Sequence, residues 1–306
     1  MLFEGCEKKL EVTVTPSQLG EVAGSSLRDL GKQVWSSVVE ASQAKILSQV
    51  SNEHMDAYLL SESSLFVWDN RFTMITCGET TLIDGAKEFF KNYPIEATSA
   101  VIFERKNELY PEKQKTCFKK DVDLLQELFK GNTLHLGQTE GRFISVYSLN
   151  KNLDISSEDK TLEVLMYDIH PEVLSLFTNK AADNKALIRD LFSLGEEFKD
   201  YQWDDYFFEP FGYSLNAISQ DRYFTVHVTP QHVGSYISFE TNAVVDFKAL
   251  INKIALKIKP GKFDVLHFSN DESMDANLTD YNNELYINKK IPCGYELDYY
   301  QFVKEK

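Results

Sequence analysis

The chain has 306 residues, of which 43% are hydrophobic and 13% aromatic, enough to bury a large core in one or two domains. Acidic residues outnumber basic ones by 47 to 32, and the net charge of −15 argues against nucleic acid and anionic membrane surfaces as partners, because clustered cations bind both. The four cysteines form no CxxC pair and the six histidines are scattered, which argues against a structural zinc site.

The first half of the chain mixes short strands with amphipathic helices. Apolar residues alternate with polar ones from Leu10 to Val14, which predicts a half-buried strand that Pro16 ends. A helical apolar stripe follows, with Ser25 or Ser26 as its cap. Its members are Leu27, Leu30, Val34 and Val38. Further strands are predicted at 44–50, 57–67, 71–77, 99–105 and 143–149, and helices at 81–91 and 121–129.

The second half repeats this arrangement. Alternation predicts strands around 161–166, 223–229, 236–240 and 263–268, followed by two late strands. Short helices are predicted at 171–178 and 184–193, and a longer one at 246–258 with Asp246 as its cap. The mixed blocks lack a regular βαβ rhythm, so the sequence predicts an α+β fold with antiparallel sheets and helices on one face.

Several strands have one apolar face and one face that carries Glu, Thr, His or Asp. If helices cover the apolar faces, the polar faces meet either solvent or each other, and the pattern leaves both open. The stretch 151–159 is polar enough for a long connection, but no convincing linker divides the chain, so one domain spanning 1–306 is predicted. No signal peptide or bilayer-spanning apolar run is recognised, which makes the cytoplasm the predicted location.

Four small polar or acidic residues, Ser61 to Ser64, interrupt the apolar arms of the strand predicted at 57–67. Taken alone, they predict a β-bulge or tight loop whose serines bond the backbone. The next predicted strand ends in Cys77, and a third segment with a distinctive order of residues, Phe3 to Glu11, lies at the amino terminus.

Together these three segments resemble the eukaryotic-type S-adenosylmethionine decarboxylase family. The resemblance runs from residue 3 to at least residue 268, with several separated motifs in the same order. It implies a four-layer αββα sandwich of two antiparallel sheets in two similar halves. It also implies S-adenosylmethionine as substrate and a product used as the aminopropyl donor in spermidine and spermine biosynthesis.

The resemblance implies a cofactor made from the chain itself. Decarboxylation leaves a carbanion that needs an electron sink, and a ketone that forms a Schiff base with the substrate amine provides one. In the family the hydroxyl of the serine at position 63 attacks the carbonyl of Glu62. Elimination and hydrolysis then leave a pyruvoyl group on an α chain, 63–306, separate from a β chain, 1–62. No metal and no pyridoxal phosphate are expected.

The resemblance also implies roles for individual residues. Ser214 and His227 match the processing serine and the processing base, and Glu7 matches a carboxylate associated with processing. Cys77 matches the proton donor, which requires a thiol kept protonated by apolar or acidic surroundings. On its own, a histidine such as His227 is more often a hydrogen-bonded structural residue.

Substrate binding is expected to use aromatic rings and carboxylates. Phe3 and Phe208 match the pair that stacks on adenine, although any single phenylalanine among twenty-one is more often part of the core. Glu62 is expected near the cationic sulfur, while Glu4 lies in a matched motif without an assigned role.

A second ligand, putrescine, is implied as an activator. Its site would use acids and an aromatic wall at positions that match the family: Glu11, Asp159, Thr161, Glu163, Glu240 and Phe268. Two other interpretations stay open, namely an ordinary solvated acidic face and neutralisation by internal cations such as Lys8 or Arg105.

The chain departs from the family pattern at position 231, where Gln231 replaces a glutamate that binds the ribose hydroxyls. Because a charged hydrogen bond contributes about 1.5–3 kcal/mol and a neutral one about 0.5–1.5, the change is expected to weaken substrate binding about tenfold, and Gln231→Glu to lower KM. Phe211 and Ile75 are further departures, and with Gln231 they raise an alternative function, a catalytically weak regulatory partner of an active decarboxylase. Ile102 stands where the putrescine site of the family commonly has another aromatic residue. The family includes monomers, homodimers and heterodimers, so oligomeric state stays open.

Overall fold

The computed structural model describes residues 3–15, 26–138, 141–151, 155–178, 184–270, 273–274 and 276–305. The chain divides into two compact units. The first, here called the Ser63 unit, comprises Cys6–Asp154 and Ile291–Gly294. The second, here called the His227 unit, comprises Met1–Gly5, Ile155–Lys290 and Tyr295–Lys306.

The Ser63 unit is built on one antiparallel sheet of eight strands in the order β2-β3-β4-β5-β1-β6-β8-β7. The strands are β1 (Lys8–Val14), β2 (Ile46–Ser51), β3 (Met55–Leu60), β4 (Ser63–Trp68), β5 (Arg71–Thr76), β6 (Thr98–Lys106), β7 (Gly131–Gly137) and β8 (Phe143–Leu149). The helices are α1 (Gly31–Ala41), α2 (Leu82–Asn92) and α3 (Phe118–Gln126).

Strand β1 lies in the middle of this sheet because its alternating residues bury one apolar face. Leu10 and Val12 are fully buried and share a core with residues of all three helices. Trp35 of α1 packs its ring edge-on to Phe72 of β5, with centroids 5.2 Å apart. Ser26 accepts a hydrogen bond from the Arg28 amide and caps a 3₁₀ turn, Leu27–Leu30, before α1. Pro16 and Ser25, named above as strand end and alternative cap, lie outside the described residues.

The His227 unit has a second antiparallel sheet, in the order β10-β11-β12-β13-β9-β14-β16-β15. Its strands are β9 (Thr161–Ile169), β10 (Gln202–Phe207), β11 (Tyr213–Ser219), β12 (Arg222–Thr229), β13 (Tyr236–Thr241), β14 (Pro260–Ser269), β15 (Tyr281–Lys290) and β16 (Glu296–Lys304). Its helices are α4 (Pro171–Thr178), α5 (Lys185–Leu191) and α6 (Phe247–Ile258). Asp246 caps α6 by accepting from the Ala249 amide, as predicted.

The two sheets have the same topology. Adding eight to each strand number of the Ser63 unit gives the strand order of the His227 unit. In each unit one face of the sheet shares a core with the helices of that unit. The predicted α+β class, with antiparallel sheets in two similar halves, is therefore confirmed.

Several element boundaries differ from the sequence prediction. The strand predicted at 57–67 is two strands, β3 and β4, joined by a two-residue turn. Helix α3 begins at Phe118, three residues before the predicted start, because the Phe118 ring stacks on Phe103 of β6 with centroids 6.0 Å apart. Strands β7, β10 and β11 are not predicted. Within the described ranges, every helix is too short or too polar to cross a membrane.

Candidate active site

The turn between β3 and β4 positions Ser63. Leu60 pairs directly with Ser63, so Ser61 and Glu62 form the whole connection. Ser61 Oγ accepts a hydrogen bond of 3.0 Å from the Lys45 amide, which confirms that a serine of this run bonds the backbone. Ser63 is buried and has φ of 127°, a region that residues other than glycine seldom occupy. The peptide between Glu62 and Ser63 is therefore held in a strained conformation.

Cys77 lies directly beside this peptide. Its amide donates to the Glu62 carbonyl at 3.0 Å, and its thiol donates to the same oxygen at 3.6 Å. The Ser63 hydroxyl donates to Cys77 Sγ at 3.5 Å. A hydroxyl, a thiol and a polarised carbonyl thus meet at one peptide bond.

The electrostatic surroundings keep the Cys77 thiol protonated. Burial raises its pKa well above the ordinary value, and the carboxylates of Glu62 and Glu7 raise it further. The Ser63 hydrogen bond and the Lys8 ammonium act in the opposite direction but do not outweigh these effects. The acidic surroundings predicted for a proton-donating thiol are present. Burial also raises the pKa of Glu62 to about 7, with Lys8 opposing the shift.

Lys8 holds the loop that follows Cys77. Its buried Nζ donates to the Gly78 carbonyl at 2.9 Å and to the Thr80 carbonyl at 3.1 Å. Burial lowers its pKa to about 8, with the Arg105 charge adding to the effect. Sequence reasoning missed this role. The sequence does contain one indication of it. Lys8 lies two and four residues before the buried residues Leu10 and Val12, and alternate residues of a strand point to the same face.

In the His227 unit, Ser214 of β11 and His227 of β12 are cross-strand partners. Ser214 Oγ lies 2.9 Å from His227 Nδ1, and both residues are buried. Thr225, two residues before His227 on the same strand, has its Oγ1 3.1 Å from His227 Nε2. The imidazole is therefore held between two hydroxyl groups.

The position of the Thr225 hydroxyl proton fixes the tautomer of His227. Thr225 Oγ1 lies within donating distance of the Leu215 carbonyl, at 2.9 Å, and of Asn216 Oδ1, at 3.0 Å, and both of these oxygens can only accept. A hydroxyl has one proton, so the same oxygen accepts from His227 Nε2–H. Nδ1 then carries the lone pair and accepts from Ser214. Burial lowers the pKa of His227 to about 3, so the ring is neutral and Nδ1 is its basic atom.

The two predicted adenine-stacking rings belong to segments anchored at the same end of the β11–β12 pair. Phe208 donates its amide to the Gly212 carbonyl at 3.0 Å, just before β11 begins. Phe3 is bonded through its backbone to Gln231, two residues beyond β12. The Phe3 side chain is exposed and Phe208 is half-buried. Both rings therefore retain accessible surface for stacking.

The predicted putrescine ligands of the His227 unit form two groups. Glu163 of β9 and Glu240 of β13 are direct cross-strand partners and both are buried. Tyr223 donates its hydroxyl to Glu240. Two buried acidic side chains thus face each other across the β9–β13 pair.

The other group brings Thr161 and Phe268 together as cross-strand partners. Tyr295 donates its hydroxyl to Asp159 at 2.7 Å, and its ring meets Phe268 edge-on at 6.2 Å. Tyr295 is not predicted, and no spacing in the sequence indicates it. In the Ser63 unit, Glu11 accepts a hydrogen bond of 3.2 Å from Thr73.

The internal cations named as alternative neutralisers bond other groups. Arg105 pairs with Asp121 and Glu108 and donates to Thr116, and Lys8 is bound to the loop after Cys77 as described above. A different buried network is present on β1 and β6, where Glu104 lies 3.8 Å from the Lys9 ammonium and 3.7 Å from that of Lys106. Neutralisation of the acidic face by internal cations such as Lys8 or Arg105 therefore stays a prediction.

Glu4 and Glu7 are both buried. The Glu7 carbonyl accepts from the Lys106 amide at 3.1 Å, which continues the β1–β6 pairing. Across the described part of the chain, no three or more His, Cys, Asp and Glu side chains are grouped as metal ligands would be. The strained, buried serine beside a protonated thiol fits the chemistry of a pyruvoyl precursor.

Comparisons with known proteins agree with this geometry. The family model for adenosylmethionine decarboxylase matches residues 1–304. S-adenosylmethionine decarboxylase proenzymes of Dictyostelium discoideum and Drosophila melanogaster are each 34% identical, over 88% and 89% of this chain and 75% and 84% of their own lengths. A proenzyme of Leishmania donovani is 35% identical over 89% of this chain and 74% of its own. The Trypanosoma brucei AdoMetDC-delta26 monomer superposes with a TM-score of 0.62 at 22% identity, over 79% of this chain and 99% of that one, which shows a shared fold.

Proposed function

Because this chain belongs to the adenosylmethionine decarboxylase family, we propose that it is a proenzyme that cuts itself between Glu62 and Ser63 and then decarboxylates S-adenosyl-L-methionine. The observation that carries the proposal is the strained Glu62–Ser63 peptide, with the Ser63 hydroxyl and the Cys77 thiol in contact beside it. A regulatory partner without activity has no need of this arrangement, so the alternative function is not favoured.

Self-cleavage begins with the Ser63 hydroxyl attacking the Glu62 carbonyl carbon. The C–N bond breaks, the nitrogen takes up a proton, and an ester replaces the peptide. Relief of the unfavourable φ at Ser63 contributes to this step. A hydrogen-bond donor stabilises the oxyanion that forms on the way. The Cys77 amide already donates to this oxygen, and Ser214 matches the processing serine of the family.

The second step removes the Ser63 α-proton. The neutral His227 has its basic Nδ1 defined by Thr225 and acts as the base, with Ser214 on the same nitrogen. Loss of the proton and cleavage of the Cβ–O bond release Glu62 as a carboxyl terminus and leave dehydroalanine at residue 63. Hydrolysis releases ammonia and leaves a pyruvoyl group. Glu7 is a further processing residue, by its match to the family.

In the decarboxylation itself, the pyruvoyl group supplies the electron sink for the carbanion. The chain's own residues bind, orient and protonate. Phe3 and Phe208 stack on adenine, and Glu62 faces the cationic sulfur. Cys77 delivers a proton to the decarboxylated carbon, a role supported by its raised pKa. Lys8 keeps the Cys77 loop in place.

The wider role follows from the same family. The product serves as aminopropyl donor for spermidine and spermine, and the reaction takes place in the cytoplasm without a metal or pyridoxal phosphate. Putrescine is proposed as an activator at Glu11, Asp159, Thr161, Glu163, Glu240 and Phe268. The buried, directly opposed pair Glu163 and Glu240 supports a dication there.

A denaturing mass measurement of the purified protein tests the proposal. We expect two chains, 1–62 and 63–306, with a blocked amino terminus on the longer one. Ser63→Ala should give a single inactive chain. Cleavage at this bond in Ser63→Ala, or an intact and inactive wild-type chain, would contradict the mechanism.

A further inference from the structure

The side chain of Gln231 is engaged by the amino terminus. Its Oε1 accepts from the Phe3 amide at 2.8 Å, and its Nε2 donates to the Phe3 carbonyl at 2.7 Å. Gln231 is buried, with 5% of its surface exposed. One primary amide thus satisfies both backbone groups of Phe3, as a neighbouring strand would, although Phe3 is not part of a strand.

Only a side-chain amide can make this pair of bonds. Glutamine offers one acceptor and two donors on a planar group, whereas a glutamate carboxylate offers acceptors alone. A glutamate here would place an oxygen against the Phe3 carbonyl oxygen and lose one of the two bonds. The residue that departs from the family pattern is therefore the one that suits this contact.

A second contact fixes the same segment. Gly5 packs so closely on Thr229, at the end of β12, that a Cβ at Gly5 would lie 2.8 Å from the Thr229 hydroxyl oxygen. Gln231 and Thr229 together hold the backbone of residues 3–5 against the end of β12. The Phe3 ring itself stays 38% exposed. The structure therefore fixes the backbone of Phe3 and presents its ring.

The neighbouring segment carries the other ring. Gly212 immediately precedes β11, whose first residue, Tyr213, pairs with Val228 of β12. A Cβ at Gly212 would lie 3.3 Å from the Phe208 side chain and 3.6 Å from the Val228 carbonyl. A glycine close to each ring thus packs against the end of β12, Gly5 against the Thr229 side chain and Gly212 against the Val228 carbonyl.

We propose that Gln231 is a positioning residue for the adenine-binding ring of Phe3, and that its amide recognises the Phe3 backbone in place of the substrate's ribose. This inference rests on the proposed function. Holding Phe3 before substrate arrives lowers the conformational entropy lost on binding. In this chain, substrate affinity thus comes from a preorganised ring at the site where the family pattern has a charged ribose ligand.

The test compares Gln231→Glu and Gln231→Met with wild type, each checked by mass for complete cleavage. We expect Gln231→Glu, which loses one of the two bonds to Phe3, to raise KM for S-adenosylmethionine about tenfold. Gln231→Met, which loses both bonds, should raise KM at least as much, and kcat should change little in either variant. If position 231 instead meets the ribose, Gln231→Glu would lower KM. The two interpretations therefore predict opposite signs for the same variant.

An activity-independent measurement accompanies the kinetics. In protein labelled with ¹⁵N-phenylalanine, the Phe3 amide signal is assigned with Phe3→Leu and its hydrogen exchange is followed. We expect at least tenfold faster exchange in Gln231→Met than in wild type, and no change in Gln49→Met, which alters an exposed glutamine on β2. Equal exchange in wild type and Gln231→Met would overturn the proposal. If the Phe3 amide exchanges as expected but the protein has no decarboxylase activity, the proposed function is refuted while the contact between Gln231 and Phe3 is supported.

A double-mutant cycle isolates the coupling. In a Phe3→Ala background, Gln231→Met should add no further increase in KM, because the ring being positioned is gone. A full additional tenfold increase would show that Gln231 acts on substrate directly and would overturn the proposal.

Discussion

The hydroxyl of Thr225 determines which nitrogen of His227 is basic, and Thr225→Val tests this directly. Valine keeps the shape of threonine and replaces the hydroxyl with a methyl group at a position that is 1% exposed. The change removes the hydroxyl oxygen that accepts from His227 Nε2–H. It also removes the bonds of the Thr225 hydroxyl to the Leu215 carbonyl and to Asn216 Oδ1.

The size of the effect follows from burial. A buried N–H that loses its acceptor costs about 1–3 kcal/mol. The imidazole of His227 avoids this cost if its proton moves to Nδ1 and is donated to Ser214. The lone pair then lies on Nε2 and no longer on Nδ1, the atom that acts as the base. Either way the reactive tautomer is disfavoured. At about 1.4 kcal/mol for each factor of ten, self-cleavage should slow by about 5- to 150-fold, and the free energy of unfolding should fall by about 1–3 kcal/mol.

The assay follows the conversion of newly synthesised chain into 1–62 and 63–306 on a denaturing gel. Thr225→Ser, which keeps the hydroxyl, should cleave at close to the wild-type rate. Thr241→Val is the matched control, because it removes a buried hydroxyl on the adjacent strand that donates to the Tyr223 carbonyl at 2.6 Å. It should lose comparable stability without slowing cleavage. If Thr225→Val cleaves as fast as Thr241→Val, the assignment of the tautomer is refuted.

Three further predictions concern His227, Glu62 and the putrescine ligands. His227→Ala should stop self-cleavage at the ester, which hydroxylamine then cuts between Glu62 and Ser63; normal processing without a hydroxylamine-sensitive bond would return His227 to a structural role. The pKa of Glu62 is raised from about 4.5 to about 7, so the folded state binds more protons than the unfolded state between these values, and stability falls as pH rises through that window. In uncleaved Ser63→Ala protein, Glu62→Gln should flatten this fall in Tm between pH 4.5 and 7, and an unchanged slope would remove Glu62 as its cause. Putrescine should release heat in calorimetry, raise Tm and stimulate activity at saturating S-adenosylmethionine, and Glu163→Gln should weaken all three; no heat and no stimulation at millimolar putrescine would exclude an activator site.

Sequence reasoning names candidate reactive residues because they lie in short, ordered motifs that resemble a known family, but it cannot show how these residues are held. Ser63 is named as the pyruvoyl precursor by the family resemblance, while its positive φ depends on the two-residue turn that pairs β3 with β4. The apolar residues on both sides of that turn have the composition of one continuous strand, which is why 57–67 was predicted as a single element. The register of β3 against β4 depends on which residues pair across the turn, and the sequence of one strand does not reveal this pairing.

The same limit applies to the groups around each site residue. Thr225 and His227 are two residues apart on one strand, so their common face was predictable, but the Leu215 carbonyl that fixes the hydroxyl proton comes from the neighbouring strand. Gln231 and Phe3 are 228 positions apart, and no local pattern joins them. Capping residues were predicted well, as Asp246 shows, because a cap acts within one turn of its own helix.

The strand order of the Ser63 unit has a consequence for reversibility. Residues 1–62 include β1, β2 and β3, and β1 lies between β5 and β6 in the middle of the sheet. A cut after Glu62 therefore divides one sheet between two polypeptides, joined without a covalent bond by the pairs β1–β5, β1–β6 and β3–β4. Before the cut, these strands meet within one chain at the small entropic cost of closing loops. Afterwards the two pieces must find each other in solution, so recovery from denaturation becomes second order and depends on protein concentration. Self-cleavage would thereby convert a single chain, which refolds without a partner, into a complex of two chains. The lifetime of that complex would be set by its rate of unfolding.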